Sequence, residues 1–327
     1  MKVLVTGAAG FIGSHVCERL INSNKIKKIT AIDHLKDGKL KNLRISLKSK
    51  KLKFIKCDIK NKKKLNLICS GHDAIIHLAA LSDIVPSIEE PRSYFETNLN
   101  GTLNILEIMR LKKIKRIIYA ASSSCYGIPL KYPTSENETI DTRYPYSFSK
   151  FIGESLIKHW SKVYKIEFIS LRLFNVYGTR SRTNGAYGAA LGVFLKQKLE
   201  KKPFTVVGNG NQKRDFVNVK DVADAFYKSL FTKNKNQVFN IGYGKPSSIN
   251  KMLQLIGGKK IFIPKRPGEP KITHANISKA KKKLNWKPKV SLEIGLKEVI
   301  NNISYWKRAP LWDKKSINLA TKKWFKY

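Results

Sequence analysis

The chain has 327 residues, of which 42% are hydrophobic and 10% aromatic, as in ordinary globular proteins. No uninterrupted apolar run approaches the roughly 20 residues needed to cross a bilayer, which argues against a membrane protein. The residues from Met1 to Thr6 already have the pattern of a strand, so we expect no signal peptide and a cytoplasmic protein. The four cysteines lack the spacing of metal ligands, and we expect reduced thiols and no metal site.

The unusual bulk property is the charge: 64 Lys and Arg residues stand against 23 Asp and Glu residues, a formal net charge of +41. A field of this sign attracts nucleic acid. The lysines, however, are spread from Lys2 to Lys326 and do not form one arginine-rich stripe. Together with abundant Asn and Ile, this distribution favours a general composition bias over a nucleic-acid partner. An anionic substrate gains from such a field under either interpretation.

The predicted elements alternate between strands and helices along the first half of the chain. Amphipathic spacing predicts helices such as Ile12–Asn22 and Thr97–Leu111. Short β-branched runs predict buried strands at Lys2–Thr6, Ile29–Ile32, Leu52–Cys57, Ala74–Leu78, Arg116–Ala120 and Glu167–Leu171. This rhythm gives right-handed crossovers, so we predict an α/β fold with a Rossmann-type, doubly wound parallel sheet.

After about residue 175 the pattern becomes irregular, with more Gly and Pro. A strand at Val217–Val219 and a helix at Val222–Leu230 are candidates to rejoin the sheet. We therefore predict a first domain at 1–175, rejoined by about 216–243. A smaller, interleaved C-terminal substrate domain then comprises 176–215 and 244–327.

A glycine-rich loop with Gly7, Gly10 and Gly13 follows the first predicted strand and opens the first predicted helix. Glycines at this spacing allow a tight turn, close approach of backbone to a pyrophosphate and close helix packing. The N–H groups at a helix start then face the diphosphate. A purely structural turn would explain the glycines alone. It would not explain why a strand precedes them, a helix follows them and Asp33 stands about 20 residues later. The loop therefore predicts that residues 1–175 form a dinucleotide-binding domain.

Two carboxylates follow the next two predicted strands. Asp33 lies about 20 residues beyond the glycine loop, where an acid binds the adenosine ribose and repels a 2′-phosphate. It favours NAD over NADP, although two nearby lysines weaken that preference. Asp58 follows the third strand and has two interpretations: a contact with the adenine, or the N-cap of the next helix.

Tyr146 and Lys150 are spaced to share one face of a helix. An ammonium one turn away stabilises a phenolate, so we expect a lowered pKa for Tyr146 and a base near neutrality. The pair gains meaning from Ser122, Ser123 and Ser124, which directly follow a buried strand. Ligands bind beyond the carboxyl ends of strands in open parallel sheets, so these hydroxyls are expected in the site. A hydrogen bond to local backbone is the alternative for any one serine.

Several motifs occur together and in a fixed order: VLVTGAAGFIGSH, IIHLAA, SSSCYG, YPYSFSK and LRLFNVYG. They continue through RDFVNVKDVADAF, FNIG, RPGEP and KLNWKP toward the C-terminus. With these motifs the chain resembles the extended short-chain dehydrogenase/reductase family over nearly its whole length. Within that family it looks most like the UDP-sugar 4-epimerases.

The resemblance implies that Tyr146 is the catalytic base, that Lys150 is its partner on the nicotinamide ribose, and that Ser122 is the catalytic hydroxyl. It implies that His77 borders the cofactor and that Asn98 supports the catalytic helix, with helix packing as the alternative for Asn98. The implied NAD contacts are Gly7, Gly10, Phe11, Ile12, Gly13, Asp33, Asp58, Ile59, Leu78, Ala79, Ala80, Tyr146 and Lys150. The implied substrate contacts are Ser124, Asn175, Arg214, Arg266 and Thr273. For Arg214 the alternative is an ion pair with Asp215 or Asp221.

The reaction implied by the resemblance is epimerisation at C4 of a nucleotide-activated sugar through a transient 4-keto sugar. A 4,6-dehydratase of the same family needs an additional acid, and no carboxylate lies between Ser122 and Gly127. The same absence argues against a decarboxylase. Thr273 falls where a bulky aromatic restricts the pocket, so its small side chain predicts tolerance of N-acetylhexosamines.

Two expectations concern partners. The basic, aromatic tail from Tyr305 to Tyr327 motivates a different hypothesis, that of a cofactor-binding homologue acting mainly on RNA. The alternative is a closing helix with Ile317, Ala320 and Trp324 on its apolar face, and we favour it because the catalytic residues are all present. Related enzymes are commonly dimers, which predicts a homodimer through Thr97–Leu111 and the helix that carries Lys150.

Overall fold

The computed structural model describes residues 1–181, 190–265 and 269–322. The strands in these ranges are β1 (Lys2–Thr6), β2 (Lys28–Asp33), β3 (Leu52–Lys56), β4 (Ala74–His77), β5 (Arg116–Ser122), β6 (Glu167–Leu173), β7 (Asn175–Tyr177), β8 (Phe204–Val207), β9 (Lys213–Arg214), β10 (Phe216–Asn218), β11 (Gln237–Ile241), β12 (Ser247–Ser248) and β13 (Lys260–Ile263). The α-helices are α1 (Phe11–Ile21), α2 (Lys62–Ile68), α3 (Ile84–Glu89), α4 (Pro91–Tyr94), α5 (Gly101–Leu111), α6 (Pro145–Tyr164), α7 (Ala190–Leu199), α8 (Val219–Phe231), α9 (Ile249–Ile256), α10 (Ser278–Leu284), α11 (Leu292–Asn301) and α12 (Lys314–Thr321). Among these residues no helix is long and apolar enough to cross a membrane.

The central sheet has the strand order β11-β6-β5-β4-β1-β2-β3, and every neighbouring pair is parallel. The chain moves outward from β1 to β3, then returns to the other side of β1 and moves outward again from β4. The order therefore reverses between β1 and β4, where open α/β sheets bind ligands. The Rossmann-type fold is confirmed, and the six predicted strands are present with their ends shifted by one or two residues.

Both faces of the sheet are covered, because successive side chains of a strand point to opposite faces. Val3 and Val5 belong to a buried cluster that also contains Leu20 of α1 and Phe226 of α8. Leu4, between them, belongs to a second buried cluster on the opposite face, which includes residues of α5 and α6. Burial on both sides explains why these strands read as continuous apolar runs.

The strand predicted at Val217–Val219 exists as β10, but the prediction that it rejoins the central sheet is wrong. It pairs with β7 in a separate two-stranded parallel sheet, where Val217 faces Val176. The reason is that β7 begins two residues after the last residue of β6, beyond the carboxyl end of that strand. A strand paired with β7 therefore lies outside the central sheet. Helix α8 then packs on α1 and returns the chain, so that β11 adds to β6 instead, with Gln237 opposite Ile169.

The predicted helix Thr97–Leu111 differs at its start. Residues Phe95–Asn100 form a π-helical segment, and α5 follows directly. The wider turn leaves Asn98 with 1% of its surface exposed and its side-chain amide bonded to Leu81. Such π segments commonly mark functional positions.

A third buried cluster lies apart from the central sheet and gathers residues from α7, β8, α9 and α11, with Trp306. Two-stranded pairings such as β8 with β13 belong to this part of the chain. The cluster draws mainly on residues after 176, interrupted by the segment that contains α8 and β11. Other residues of the range 244–327, such as Leu284 and Trp286, pack in the first cluster. The division into a dinucleotide-binding and a substrate domain stays a prediction.

A buried ion pair joins α6 to β6. The guanidinium of Arg172 donates to Glu154 through Nη2 at 2.7 Å and through Nε at 3.1 Å. Ser170 Oγ also donates to this carboxylate, at 2.8 Å. The side chains of Arg172 and Glu154 are 4% and 1% exposed. Lys158 Nζ donates to the same carboxylate at 2.7 Å, so Glu154 keeps a cation if Arg172 is lost. Loss of Glu154 instead leaves the buried Arg172 guanidinium without its carboxylate.

We therefore expect Glu154→Gln to lower the free energy of unfolding by about 3–5 kcal/mol. The control is Glu96→Gln, which breaks the exposed pair between Arg92 and Glu96 and is expected to cost less than about 1 kcal/mol. Urea unfolding followed by circular dichroism measures both. Equal losses in the two variants would contradict the importance of the buried pair.

Candidate active site

One cavity of about 680 Å³ lies at the carboxyl ends of the central strands, at the reversal point between β1 and β4. Arg266 lies outside the described residues. His77, which the resemblance places beside the cofactor, does not line this cavity, because its buried ring lies between Thr6 and Thr102. The other predicted cofactor, catalytic and substrate contacts do line it: Gly7, Gly10, Phe11, Ile12, Gly13, Asp33, Asp58, Ile59, Leu78, Ala79, Ala80, Ser122, Ser124, Tyr146, Lys150, Asn175, Arg214 and Thr273. Residues separated by more than 250 positions thus share one surface.

The glycine loop is packed too tightly for side chains. Gly7 has a φ of +66°, and a Cβ there would lie 2.8 Å from the backbone nitrogen of Ala79. A Cβ on Gly13 would lie 2.1 Å from the carbonyl oxygen of Gly7. Helix α1 begins on the cavity wall with Gly10 as its N-cap, and no side chain caps it. An uncapped helix start is a site for an anion such as a diphosphate.

Asp33 is held beside this loop. Its Oδ2 accepts a hydrogen bond from the backbone N–H of Ala9 at 3.0 Å, and its Oδ1 accepts one from Leu35 at 2.8 Å. A Cβ on Gly38 would lie 2.8 Å from both carboxylate oxygens, so only glycine fits against Asp33. Two hydrogen bonds leave lone pairs on a carboxylate that has about four acceptor positions. Asp33 is therefore able to receive ribose hydroxyls.

The N-cap interpretation of Asp58 is wrong. Helix α2 is capped by Asn61, whose side chain accepts the backbone N–H of Lys64 at 2.9 Å. Asp58 accepts the N–H of Lys60 at 2.9 Å in the loop before that helix, and it lines the cavity. The cofactor interpretation of Asp58 remains. The uncapped helix start, the tight glycine loop and the two acids together fit an NAD molecule.

Tyr146 lies on the first turns of α6, where it forms a hydrogen bond with Ser122. The hydroxyls of Ser122 and Ser124 are 2.8 Å apart. Burial raises the pKa of Tyr146, and the hydrogen bond with Ser122 only partly opposes this effect. The predicted lowering of this pKa by Lys150 is therefore wrong for this arrangement.

The position of Lys150 explains the difference. Its Nζ lies 4.2 Å from the centroid of the Tyr119 ring, a cation–π contact. Burial lowers the pKa of Lys150 to about 7, although the charge of Glu154 one turn later opposes the shift. The same desolvation thus disfavours the charged form of the lysine and of the tyrosine.

Asn175 and Thr273 form one hydrogen-bonded unit at the opposite end of the cavity. Thr273 Oγ1 donates to Asn175 Oδ1 at 2.8 Å and accepts the backbone N–H of Asp215 at 3.0 Å. The threonine hydroxyl is therefore held by the protein, and the small side chain borders the cavity.

Arg214 does not pair with Asp215 or Asp221, so that alternative is wrong. Its Nη2 donates to Glu269 at 2.6 Å, and its side chain is 9% exposed. Asp215 instead accepts backbone N–H groups, among them that of Ala275 at 2.9 Å, and Asp221 accepts the N–H of Val290 at 3.0 Å. Sequence reasoning missed Glu269 as a site residue, although it stands within the RPGEP motif.

A second missed contact closes the cofactor end of the cavity. Tyr305 donates its hydroxyl to Asn42 Oδ1 at 3.2 Å, and Asn42 Nδ2 donates to the carbonyl of Ala9 at 2.9 Å. Tyr305 and Asn42 are 263 positions apart, and no local pattern links them. The next tail aromatic, Trp306, is fully buried, so it offers no face for stacking on a base. Trp324 and Phe325 lie outside the described residues.

Comparison with known proteins decides the family. Residues 3–242 match the family described as NAD dependent epimerase/dehydratase. The chain belongs to this family. Its resemblance to the extended short-chain dehydrogenases/reductases is confirmed, and it is an NAD-dependent enzyme.

Individual members of the family are similar over most of their length. A putative UDP-glucose 4-epimerase from Methanocaldococcus jannaschii is 37% identical over 307 residues, covering 91% of this chain and 97% of the relative. The structure of UDP-N-acetylglucosamine 4-epimerase from Methanobrevibacter ruminantium, in complex with UDP-N-acetylmuramic acid, has a TM-score of 0.85 at 31% identity, covering 92% and 98% of the two chains. That of UDP-glucuronic acid 4-epimerase from Bacillus cereus, in complex with UDP-glucuronic acid and NAD, has a TM-score of 0.85 at 34% identity, covering 93% and 99%.

Proposed function

We propose that this enzyme interconverts the C4 epimers of a UDP-activated hexose or N-acetylhexosamine through a 4-keto sugar. The observation that carries the proposal is the hydrogen bond of Ser122 with Tyr146, formed in the same cavity as the glycine loop and Lys150. The names of the similar enzymes support a UDP-sugar and a reaction at C4.

The glycine loop and Asp33 would hold NAD, which would supply an acceptor and donor of hydride for the sugar C4. Tyr146 takes the proton of the C4 hydroxyl as the carbonyl forms, and it gives the proton back when the carbonyl is reduced on the other face. Ser122 is placed to hydrogen-bond the same oxygen, because it already bonds Tyr146. Burial opposes the phenolate in this site, so the step needs the Lys150 ammonium to leave the Tyr119 ring, where it lies in this structure, and to face Tyr146.

Epimerisation is favoured over dehydration by the chemistry of the serine loop. Ser123, Ser124 and Cys125 stand where a dehydratase needs an acid. Burial raises the pKa of the Cys125 thiol to about 12, so it stays protonated and is a poor acid near neutrality. Loss of the C6 hydroxyl as water requires an acid that protonates it. The loop between Ser122 and Gly127 contains no carboxyl group that could do so.

The substrate end of the cavity supports a sugar of variable size. Thr273 is bonded to Asn175 and leaves the adjoining space open, which suits an N-acetyl group. Arg214 is the fork-shaped cation suited to the diphosphate. Its present partner, Glu269, also lines the cavity.

We also propose that the enzyme is a homodimer. Helices α5 and α6 together expose several large apolar side chains: Leu111, Phe148, Val163 and Tyr164. Burial of such a surface against a second copy removes apolar area from water. In such a homodimer, α5 and α6 of one copy pack against α5 and α6 of the other about a two-fold axis.

The first test is to incubate the purified protein with UDP-galactose, without added cofactor, and to follow the sugar by proton NMR. We expect the C4-inverted sugar to appear, and Tyr146→Phe to lower the rate about 10²- to 10⁴-fold because the base is lost. Tyr164→Phe, the same change on the same helix, is the control. A 4-keto-6-deoxy product would establish a dehydratase, and no change in either UDP-galactose or UDP-N-acetylgalactosamine, even with NAD supplied, would refute the proposal.

The size of the substrate pocket is tested with Thr273→Tyr. We expect it to reduce the rate on UDP-N-acetylgalactosamine about 10- to 100-fold relative to UDP-galactose, since the ring fills the space for the N-acetyl group. Thr273→Ser keeps the hydroxyl that bonds Asn175 and is the control. A wild-type enzyme that turns over UDP-galactose but no N-acetylated sugar would contradict the predicted tolerance.

The dimer is tested with Val163→Glu, which places a charge on the proposed interface. We expect the molar mass from light scattering to fall from that of a dimer to that of a monomer. Ile294→Glu introduces the same charge at an exposed apolar position on α11, 64% exposed, and should leave the mass unchanged. A wild-type protein of monomer mass would refute the dimer.

A further inference from the structure

A buried hydrogen-bond chain begins at Thr6, the last residue of β1. Its Oγ1 accepts the backbone N–H groups of Leu78 and Ala79, each at 3.1 Å. The same oxygen lies 2.7 Å from Nδ1 of His77. On the other side of the ring, Nε2 of His77 lies 3.0 Å from Oγ1 of Thr102 on α5. His77 is 1% exposed, and neither it nor the two threonines line the cavity.

The direction of each hydrogen bond follows from counting protons. A hydroxyl has one proton and two lone pairs, and Leu78 and Ala79 occupy both lone pairs of Thr6. The hydroxyl proton of Thr6 must therefore point to Nδ1 of His77, which makes Nδ1 an acceptor. Burial lowers the pKa of His77 to about 3, so the ring is neutral. Its single proton is consequently on Nε2 and is donated to Thr102.

The chain continues to the helix that carries the catalytic residues. Thr102 donates its proton to the carbonyl of Asn98 at 2.6 Å. The side chain of Asn98 donates to Ser149 Oγ at 2.9 Å, and Ser149 donates to the carbonyl of Tyr146 at 2.8 Å. The Asn98 amide also holds Leu81 by its N–H at 2.8 Å and by its carbonyl at 3.0 Å.

One chain of hydrogen bonds thus joins two walls of the cavity, segment 78–81 and the start of α6. Segment 78–81, which lines the cavity, is held by Thr6 at its start and by Asn98 at its end. Tyr146 is held at its backbone by the far end of the same chain. A displacement of the segment relative to α6 has to break one of these bonds inside the protein, where an unsatisfied polar group costs about 1–3 kcal/mol.

We propose that His77 is a positioning residue whose Nε2-protonated, neutral ring couples the cofactor-lining segment 78–81 to the backbone of Tyr146. The ring transfers no proton in the reaction. It supplies an acceptor and a donor on opposite sides of a rigid plane, and only this tautomer satisfies both threonines. With the proton on Nδ1, three N–H donors would compete for the two lone pairs of Thr6 Oγ1, and the hydroxyl proton of Thr6 would lose its acceptor on the ring.

The matched variants are Thr102→Val and Thr102→Ser. Valine keeps the shape of threonine but removes the hydroxyl between His77 and Asn98, whereas serine restores it. We expect kcat in Thr102→Val to fall about 10- to 100-fold, because small displacements of catalytic groups are costly. We expect KM for the UDP-sugar to change little and Thr102→Ser to recover most of the rate. Equal behaviour of the two variants, whether both active or both inactive, would overturn the proposal.

The tautomer is tested independently of activity. Long-range ¹H–¹⁵N NMR of the holoenzyme labelled with ¹⁵N-histidine reports the protonation of each ring, and His77→Asn assigns the His77 signals. We expect a neutral ring with its proton on Nε2 throughout pH 6 to 8. A ring protonated on Nδ1, or a charged ring, would overturn the proposal.

This second test also separates the two proposals. The rate measurement rests on the proposed C4 epimerisation, whereas the tautomer does not. A wild-type enzyme without epimerase activity but with the expected tautomer would refute only the proposed function, and the NMR result still decides the case if Thr102→Val fails to fold.

Discussion

The close packing of the glycine loop against the segment after β4 is the constraint on which the site depends. Neither Gly7 nor Gly13 has room for a Cβ, because backbone atoms already occupy that space. This contact brings the uncapped start of α1 and the segment 78–81 to the same cavity wall. Because β1 and β4 are neighbours at the reversal of strand order, the wall lies where the sheet is open to a ligand. A larger residue at Gly7 would push the loop away from Ala79, and one at Gly13 would push the start of α1 away from the carbonyl of Gly7.

Charge is divided along the cavity. Asp33 and Asp58 lie in the part of the cavity proposed to bind the cofactor and accept backbone N–H groups. Arg214 lies in the part proposed to bind the substrate and donates to Glu269. Hydroxyls of a ribose require acceptors, and a diphosphate requires donors, so the two ends suit the two kinds of ligand group. The net charge of +41 strengthens attraction of any anionic nucleotide sugar.

Tyr146 and Lys150, the pair proposed for catalysis, show how burial acts on two charges at once. Desolvation raises the pKa of Tyr146 and lowers that of Lys150, so a lone phenolate and a lone ammonium are both disfavoured. A phenolate facing an ammonium is favoured over either charge alone, because each compensates the other in a medium of low polarity. The position of the lysine against Tyr119, and of Tyr146 at the end of the His77 chain, then governs how closely the two charges meet. The hydrogen bonds that position Tyr146 run between neutral groups, so they add no further charge beside Tyr146 and Lys150.

The sequence by itself determined six of the seven strands of the central sheet, the glycine loop with Asp33, and the placement of Tyr146 and Lys150 on one helix. These features depend on periods of a few residues and on backbone geometry, which local side chains control. Only the tertiary structure decided that β10 pairs with β7, that Asn61 caps α2 in place of Asp58, and that Arg214 binds Glu269. An arginine pairs with whichever carboxylate the fold places next to it, here Glu269. The spacing of residues along the chain does not encode the distance between the two side chains. The orientation of the His77 ring has the same origin, since it depends on which hydroxyls and N–H groups of four separate segments meet in the interior.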